Sequence, residues 1–195
     1  MSDGRIAAVI LAAGKSRRLR QPKQLIQLAG ESLLRRTARL AVEAGCGPVF
    51  VVLGFEAERM CPELNGLPVQ TLTNQNWAEG MGASVRCGVS MAQVTADAVL
   101  LLVCDQPRLS AEHLRVLLTR HEEAGALITA SGYEGRLGVP AVFAAQLFPE
   151  LLQIHGDRGA RQVIERHGDA VQAVEWPDGA LDIDRPEHVR KITSE

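Results

Sequence analysis

An apolar run near the amino terminus ends in small and cationic residues that could bind an anion. Residues 6–11 are apolar, and Ala12, Ala13 and Gly14 follow them directly. Small residues let backbone N–H groups approach an anion, and nearby cations neutralise its charge. The cations that follow are Lys15, Arg17, Arg18, Arg20 and Lys23. The pattern favours a triphosphate at the carboxyl end of a first strand, and a strand with a solvated basic loop is the alternative.

This loop does not match two common nucleotide motifs. It lacks the G-x-x-x-x-G-K-[ST] spacing of phosphate-binding NTPases and the G-x-G-x-x-G of dinucleotide oxidoreductases, so both classes are disfavoured. Lys23 follows the loop after a proline and is a candidate for stabilising charge on a transferring phosphoryl group. A solvated surface lysine is the alternative for this residue.

A carboxylate follows the most apolar run of the chain. Residues 98–103 are wholly apolar, and Asp105 follows them after Cys104. A carboxylate in that place can hold Mg²⁺ against the phosphates of a ligand. The alternative is an aspartate that caps a turn before Pro107.

A second acidic segment lies near the carboxyl terminus. Asp182 and Asp184 would point to the same side of an extended segment, so one of them could join Asp105 at a metal ion. A turn in which an aspartate caps a helix beginning at Pro186 is the alternative.

A polar loop at residues 74–84 ends in Gly80 and Gly82 at a predicted helix start. Amides such as that of Asn76 read base edges or ribose hydroxyls, and glycines let a ligand contact the backbone. A helix-start loop anchored by Trp77 is the alternative.

A second candidate anion-binding segment lies at residues 156–161. It combines two glycines with Arg158 and Arg161, and the guanidinium fork matches phosphate. The segment taken alone slightly favours the alternative, a turn capped by Asp157.

Composition narrows the class of protein. The 195 residues suit one domain, residues 1–195, and 46% apolar with 23% charged residues is typical of a globular protein. A net charge of −2 argues against a nucleic-acid surface. Neither a signal peptide nor a membrane-length apolar run is recognised. The four cysteines lack zinc-site spacing, which predicts reduced thiols in a cytoplasmic protein.

Strands and helices are predicted to alternate along the chain, which favours a doubly wound parallel sheet. The predicted strands are residues 6–11, 49–53, 69–73, 98–103, 127–130, 139–143 and 171–176. The predicted helices are residues 33–44, 56–60, 81–93, 111–124, 144–152 and 160–167, with a closing helix from Pro186. The candidate motifs cluster at the carboxyl ends of strands, where such sheets bind ligands.

Taken in order, the motifs resemble those of the molybdenum cofactor cytidylyltransferase family, within the α/β nucleotidyltransferases. The segments that carry the resemblance are residues 11–14, 22–23, 76–77, 80–82, 104–107, 138–140, 156–161 and 182–187, with Phe143. No single segment is decisive, but the ordered set is specific. The resemblance implies a single-domain three-layer α/β/α sandwich with a Rossmann-like, mostly parallel sheet that includes one antiparallel strand.

The resemblance also implies an activity. This is transfer of CMP from CTP to the terminal phosphate of a molybdopterin-type cofactor, with release of pyrophosphate and dependence on Mg²⁺ or Mn²⁺. It implies transient contact with a molybdenum hydroxylase apoenzyme, whereas the net charge and the short apolar runs predict no nucleic-acid or membrane partner. A guanylyltransferase for the same cofactor, a sugar-nucleotide transferase and a non-catalytic cofactor carrier are the alternatives. Related guanylyltransferases have glycine in place of Ala13, which favours CTP here.

Roles implied by the resemblance fall on specific positions. Lys23, Arg18 and Asp105 would be catalytic, and Asp105 and Asp184 would hold the metal. The residues implied to bind the nucleotide are Leu11, Ala12, Ala13, Gly14, Lys23, Asn76, Gly80, Gly82 and Ser84. Those implied for the second substrate are Gly156, Asp157 and Arg161. Arg20 and Arg185 depart from the family pattern, which usually has Gly and often has Thr at these positions.

Overall fold

The computed structural model describes residues 5–16, 18, 19, 21–184 and 187–189. The strands are β1 (Ile6–Leu11), β2 (Gln27–Leu28), β3 (Glu31–Ser32), β4 (Val49–Leu53), β5 (Gln70–Thr73), β6 (Ala98–Val103), β7 (Ile128–Tyr133), β8 (Arg136–Ala144) and β9 (Gln172–Glu175). The α-helices are α1 (Leu33–Glu43), α2 (Ala57–Met60), α3 (Met81–Ala92), α4 (Ala111–Ala124), α5 (Phe148–Leu151) and α6 (Arg161–His167). None of these helices is long and apolar enough to cross a membrane.

Seven strands form one sheet in the order β5-β4-β1-β6-β8-β7-β9. Strand β8 runs antiparallel to both of its neighbours, and every other neighbouring pair is parallel. The fold class is therefore confirmed as α/β with a mostly parallel sheet and one antiparallel strand. The small hairpin of β2 and β3 was not predicted from the sequence.

The antiparallel strand follows from a tight turn. Glu134 and Gly135 connect β7 to β8, and both have positive φ angles, 49° and 70°. Two positive φ angles in a two-residue loop produce a hairpin turn whose twist matches that of the strands. The chain therefore reverses here instead of crossing over through a helix.

Helices cover both faces of the sheet because the central strands are apolar on both sides. In β1, Ile6, Ala8 and Ile10 face a core shared with α1 and α4. The alternate residues Ala7 and Val9 face a core shared with α3 and α6. This alternation is the two-residue period of a strand buried on both faces.

Local signals set several helix boundaries. The Ser32 hydroxyl accepts a hydrogen bond from the Arg35 amide at 3.2 Å, and the Ser110 hydroxyl accepts one from the His113 amide at 3.2 Å. Both serines cap a helix start, and Gly125 ends α4 in the left-handed conformation with φ of 56°.

The predicted elements at the carboxyl end of the chain differ in detail. The helix predicted for residues 144–152 is a 3-10 turn, Ala145–Leu147, followed by the short α5. The predicted helix start at Pro186 lies outside the described residues, although residues 187–189 are helical. The two departures from the family pattern, Arg20 and Arg185, also lie outside the described residues.

Candidate active site

The site forms where β1 and β6 end side by side. Leu11 at the end of β1 pairs with Val103 at the end of β6, so the loop at residues 12–14 and Asp105 leave the sheet at the same edge. The Ile183 amide donates to the Asp105 carbonyl at 2.9 Å. This backbone hydrogen bond, with the burial of Ile183 against an apolar cluster that includes Leu19 and Ile26, brings the late acidic segment to the first two motifs.

Gln24 holds the phosphate-loop candidate in shape. Its side-chain amide donates to the carbonyl of Ala12 at 2.8 Å and to that of Gly14 at 2.9 Å, and the residue is fully buried. Ser16 Oγ accepts from the Lys23 amide at 3.0 Å and closes the loop. Sequence reasoning did not single out Gln24, and a glutamine directly after the Pro-Lys pair was its only signal.

Lys23 lies between two carboxylates from distant parts of the chain. Its ammonium group contacts Asp105 Oδ2 directly and lies 3.7 Å from Asp184 Oδ1. The lysine and Asp105 side chains are only 22% and 14% exposed. Burial by itself lowers the pKa of Lys23, but Asp105, Cys104 and Asp184 outweigh it and raise the pKa above its usual value. Lys23 is therefore charged across the physiological range.

Two further groups border the carboxylate pair. Arg18 Nη1 lies 3.4 Å from Asp184 Oδ2, and both side chains are largely open to solvent. Asp182 is half-buried. Burial, and to a smaller extent repulsion from the carboxylates of Asp105 and Asp184, raises the pKa of Asp182 to about 7. The structure thus brings together the three predicted catalytic residues, both predicted metal ligands and the second aspartate of the late segment.

The carboxylates suit a divalent cation. Asp105 Oδ1 is buried and has no hydrogen-bond partner among the described residues. Carboxylate oxygens are hard donors of the kind that Mg²⁺ and Mn²⁺ accept. The described part of the chain contains no group of three or more His, Cys, Asp or Glu residues placed to hold a metal. A cation held by Asp105 and Asp184 would therefore take its other ligands from substrate phosphates and water.

A first cavity of about 450 Å³ opens at this edge of the sheet. Among the residues predicted to bind the nucleotide, those that line it are Leu11, Ala13, Gly14, Lys23, Gly80 and Ser84. Ala12, Asn76 and Gly82 are not among its lining residues. Ala12 is buried behind the loop, Asn76 is exposed, and the Gly82 amide donates to the Gly156 carbonyl at 2.9 Å.

One wall of the first cavity is closely packed. A Cβ atom on Gly54 would lie 2.6 Å from Trp77 Cβ and 2.8 Å from Ala13 Cβ, so only glycine fits between them. Trp77 also meets Phe55 edge to face, with ring centroids 5.4 Å apart. Trp77 therefore packs as the anchor that the alternative interpretation of this loop predicted, and it also lines the first cavity.

The side chain of Asn74 holds the first turn of α3 in place. Its side-chain amide donates to Ser84 Oγ at 3.1 Å, and its Oδ1 accepts from the Asn76 amide at 2.9 Å. Asn74 is buried and was not assigned from the sequence. Its bonds orient Ser84, which lines the first cavity.

A second cavity of about 520 Å³ lies beside the first, and Asp105 and Asp157 line both. Its charged and polar walls come from Gln106, Tyr133, Arg136, Asp157, Arg158, Arg161 and Asp182. Arg161 and Asp157 had been predicted for a second substrate, whereas Arg136 had not. Gly156 does not line the cavity. It packs against the start of α3 instead, because its carbonyl accepts a hydrogen bond from the Gly82 amide.

Two of the three arginines that line the second cavity share one carboxylate. Glu165 Oε1 accepts from Arg161 Nε at 2.9 Å, and Glu165 Oε2 contacts Arg158. The N–H groups of Arg158 and Arg161 that do not contact Glu165 could donate hydrogen bonds to a ligand. The two cavities together can receive two anionic molecules whose reacting ends meet near Asp105.

Comparison with known proteins places this arrangement in a family. The model of the MobA-like NTP transferase domain matches residues 8–171. The nicotine blue oxidoreductase of Paenarthrobacter nicotinovorans is 31% identical over 198 residues, covering 96% of each chain. A probable molybdenum cofactor guanylyltransferase of Synechococcus elongatus is 37% identical over 155 residues, covering 75% of this chain and 78% of its own.

A solved structure shares the whole architecture. Rv0371c of Mycobacterium tuberculosis H37Rv superposes with a TM-score of 0.81 at 27% identity, covering 98% of this chain and 99% of its own. The complex of Rv0371c with manganese superposes with a TM-score of 0.77 at 26% identity and equal coverage. From the family match and these full-length likenesses, this chain belongs to the MobA-like NTP transferase domain family of nucleotidyltransferases.

Proposed function

We propose that this protein transfers CMP from CTP to the terminal phosphate of a molybdopterin-type cofactor and releases pyrophosphate. The observation that carries the proposal is the meeting of Lys23, Asp105 and Asp184 at the edge shared by two cavities. The family membership supports nucleotidyl transfer, and the Synechococcus relative named a molybdenum cofactor guanylyltransferase supports the acceptor.

The residues suggest how two anions are brought together. CTP occupies the first cavity with its phosphates at residues 12–14, and the cofactor phosphate lies in the second cavity near Arg161. An oxygen of that phosphate bonds to the α-phosphorus, and the bond from the α-phosphorus to the bridging oxygen breaks. A phosphate nucleophile is already ionised at neutral pH, so no general base is required.

Lys23 and Arg18 stabilise the negative charge that develops on the departing pyrophosphate. The high pKa of Lys23 keeps its ammonium charged for this role. Asp105 and Asp184 would hold a divalent cation, Mg²⁺ or Mn²⁺, which would supply positive charge against the nucleotide phosphates. The buried, unpartnered Asp105 Oδ1 and the manganese complex of the Mycobacterium tuberculosis relative support this assignment.

The wall formed by Ala13, Gly54 and Trp77 supports CTP as the nucleotide. The Ala13 methyl group occupies space that a glycine would leave open, next to Gly54 and Trp77. A base placed against this wall would have less room than it would beside a glycine, which favours the smaller pyrimidine over a purine. The guanylyltransferase name of the Synechococcus relative makes GTP the second candidate.

The decisive experiment mixes the protein with molybdopterin-type cofactor, Mg²⁺ and each of the four nucleoside triphosphates separately. Mass spectrometry of the product with CTP should show the cytosine dinucleotide cofactor together with released pyrophosphate. The Lys23→Ala variant is the control for contaminating activity. A guanine product from GTP in place of the cytosine product would reverse the nucleotide assignment. Absence of any dinucleotide with active cofactor would reject the proposed function.

A further inference from the structure

We propose that Gln106 selects the acceptor, because its side-chain oxygen accepts a hydrogen bond from an N–H group on a flat heterocycle in the second cavity. The inference rests on the proposed function and deepens it. It assigns a recognition role to a residue that the transfer chemistry does not use.

Gln106 carries an unsatisfied group in the wall of the second cavity. The residue is only 4% exposed, and it lines the cavity beside Asp105. Its Oε1 atom is buried and has no hydrogen-bond partner among the described residues. Buried amide oxygens without a partner are rare, because the hydrogen bond to water that they lose on burial is not replaced unless a ligand or an ordered water completes it.

The amide orientation of Gln106 is determined by its neighbour. Gln106 Nε2 donates to the Val139 carbonyl at 3.0 Å, and the reverse orientation would place two carbonyl oxygens against each other. The Tyr133 hydroxyl donates to the same carbonyl at 3.2 Å. The Val139 carbonyl is therefore satisfied twice, whereas the Gln106 oxygen is left as an acceptor for a donor brought by a ligand.

The remaining walls indicate which donor that is. Apolar side chains line much of the second cavity, from Leu11, Met81, Val103, Leu137 and Val139. A sugar would bring many hydroxyl groups into these apolar walls, where each would lose its hydrogen bonds to water. A flat heterocycle leaves only its ring edge in need of partners. Its anionic group then lies at Arg158 and Arg161, and a ring or exocyclic N–H reaches Gln106.

The test measures binding of the acceptor part alone, without nucleotide. The first probe is 6-hydroxymethylpterin phosphate, followed by its own fluorescence. The second probe is the same molecule with every N–H of the pyrimidinone ring and its amino group methylated. We expect the wild-type protein to bind the first probe about tenfold more tightly than the second.

Two variants remove the oxygen. Gln106→Met replaces the amide with an apolar side chain of similar length, and Gln106→Asn keeps an amide but withdraws the oxygen. Both should lose the preference between the probes. Tyr133→Phe is the matched control, because it removes the other donor to Val139 and leaves the Gln106 oxygen in place. It should keep the preference, and circular dichroism checks that each variant is folded.

A preference that persists in a folded Gln106 variant, or no preference in the wild-type protein, would overturn the inference and leave the proposed transfer reaction standing. Loss of the preference in Tyr133→Phe to the same extent would also overturn it, since Gln106 would then serve only to hold Val139. If neither probe binds the wild-type protein, both the inference and a pterin acceptor are rejected.

Discussion

At the scale of single residues, the site depends on charges that are close enough to compete. Lys23 pairs with Asp105 and lies 3.7 Å from Asp184, and Asp182 lies close enough for both carboxylates to raise its pKa. Side chains in such a cluster act together. Removing one side chain changes the electrostatic field at the others.

We expect Lys23→Ala, Asp105→Ala and Asp184→Ala each to reduce turnover by at least about 100-fold, because each removes a charge contact made in the transition state. Pyrophosphate release under saturating substrates measures this loss. Glu123→Ala is the control, since Glu123 is an exposed residue at the far end of α4. A folded variant with near-normal turnover would disprove the role of the residue replaced.

Asp182 should make stability depend on pH. The pKa of Asp182 is about 7 in the folded protein and near 3.8 in the unfolded chain. Between these pH values the folded state therefore binds more protons than the unfolded state. The free energy of unfolding should therefore fall as pH rises from about 4 to 7 and level off above that range. Urea unfolding without added metal measures the slope, and Asp182→Asn should flatten it and be more stable than wild type at pH 8. Equal slopes would contradict this account.

At the scale of elements, close packing brings the start of α3 to the carboxyl edge of the sheet. A Cβ atom on Gly88 would lie 2.2 Å from Val9 Cγ1, so α3 rests directly on β1. At its start, Gly80 has φ of 110° and fits against Asp157, where a Cβ would lie 2.4 Å from Oδ1. These two glycines place α3 and the segment at residues 156–161 between the cavities.

Gly88→Ala should lower the free energy of unfolding by about 1–3 kcal/mol, because the added methyl group pushes α3 away from β1. Urea unfolding measures the change. Ser90→Ala, on the exposed side of the same helix, is the control and should change stability little. A Gly88→Ala protein as stable as this control would show that α3 can shift without strain.

At the scale of the whole molecule, the proposed reaction assigns one substrate to each of the two cavities. They share Asp105 and Asp157, but the loop at residues 12–14 serves the first and the arginines serve the second. One seven-stranded sheet supports both, so the reacting groups meet at a fixed edge. Binding of each substrate should therefore be separable by mutation.

Arg161→Ala should raise KM for the acceptor about tenfold and leave KM for CTP unchanged, because a charge-assisted hydrogen bond in the second cavity is lost. Steady-state kinetics with each substrate varied in turn measures both constants. Arg166→Ala is the control, since Arg166 lies on the same helix and pairs with Glu150, which lines neither cavity. A rise in KM for CTP of similar size would contradict the division.

Much of the fold was determined by the sequence itself. The strands at residues 6–11, 49–53 and 98–103 were predicted at their observed bounds, since uninterrupted apolar runs of that length fit only a buried strand between turn signals. The sequence also predicted the cap of α4 at Ser110 and its end at Gly125, because both depend on local residue types. The positions of the candidate site motifs at strand ends follow from these same signals.

The tertiary structure decided how those motifs combine. The residue types alone left open whether Asp182 or Asp184 joins Asp105, and the structure places Asp184 3.7 Å from the Lys23 ammonium that contacts Asp105. The roles of Gln24 and Asn74 come from hydrogen bonds to residues 12 and 10 positions away, and Arg136 lines the second cavity with residues from several other segments. Contacts between residues far apart in the chain depend on strand order and register, and local patterns of residue type carry neither.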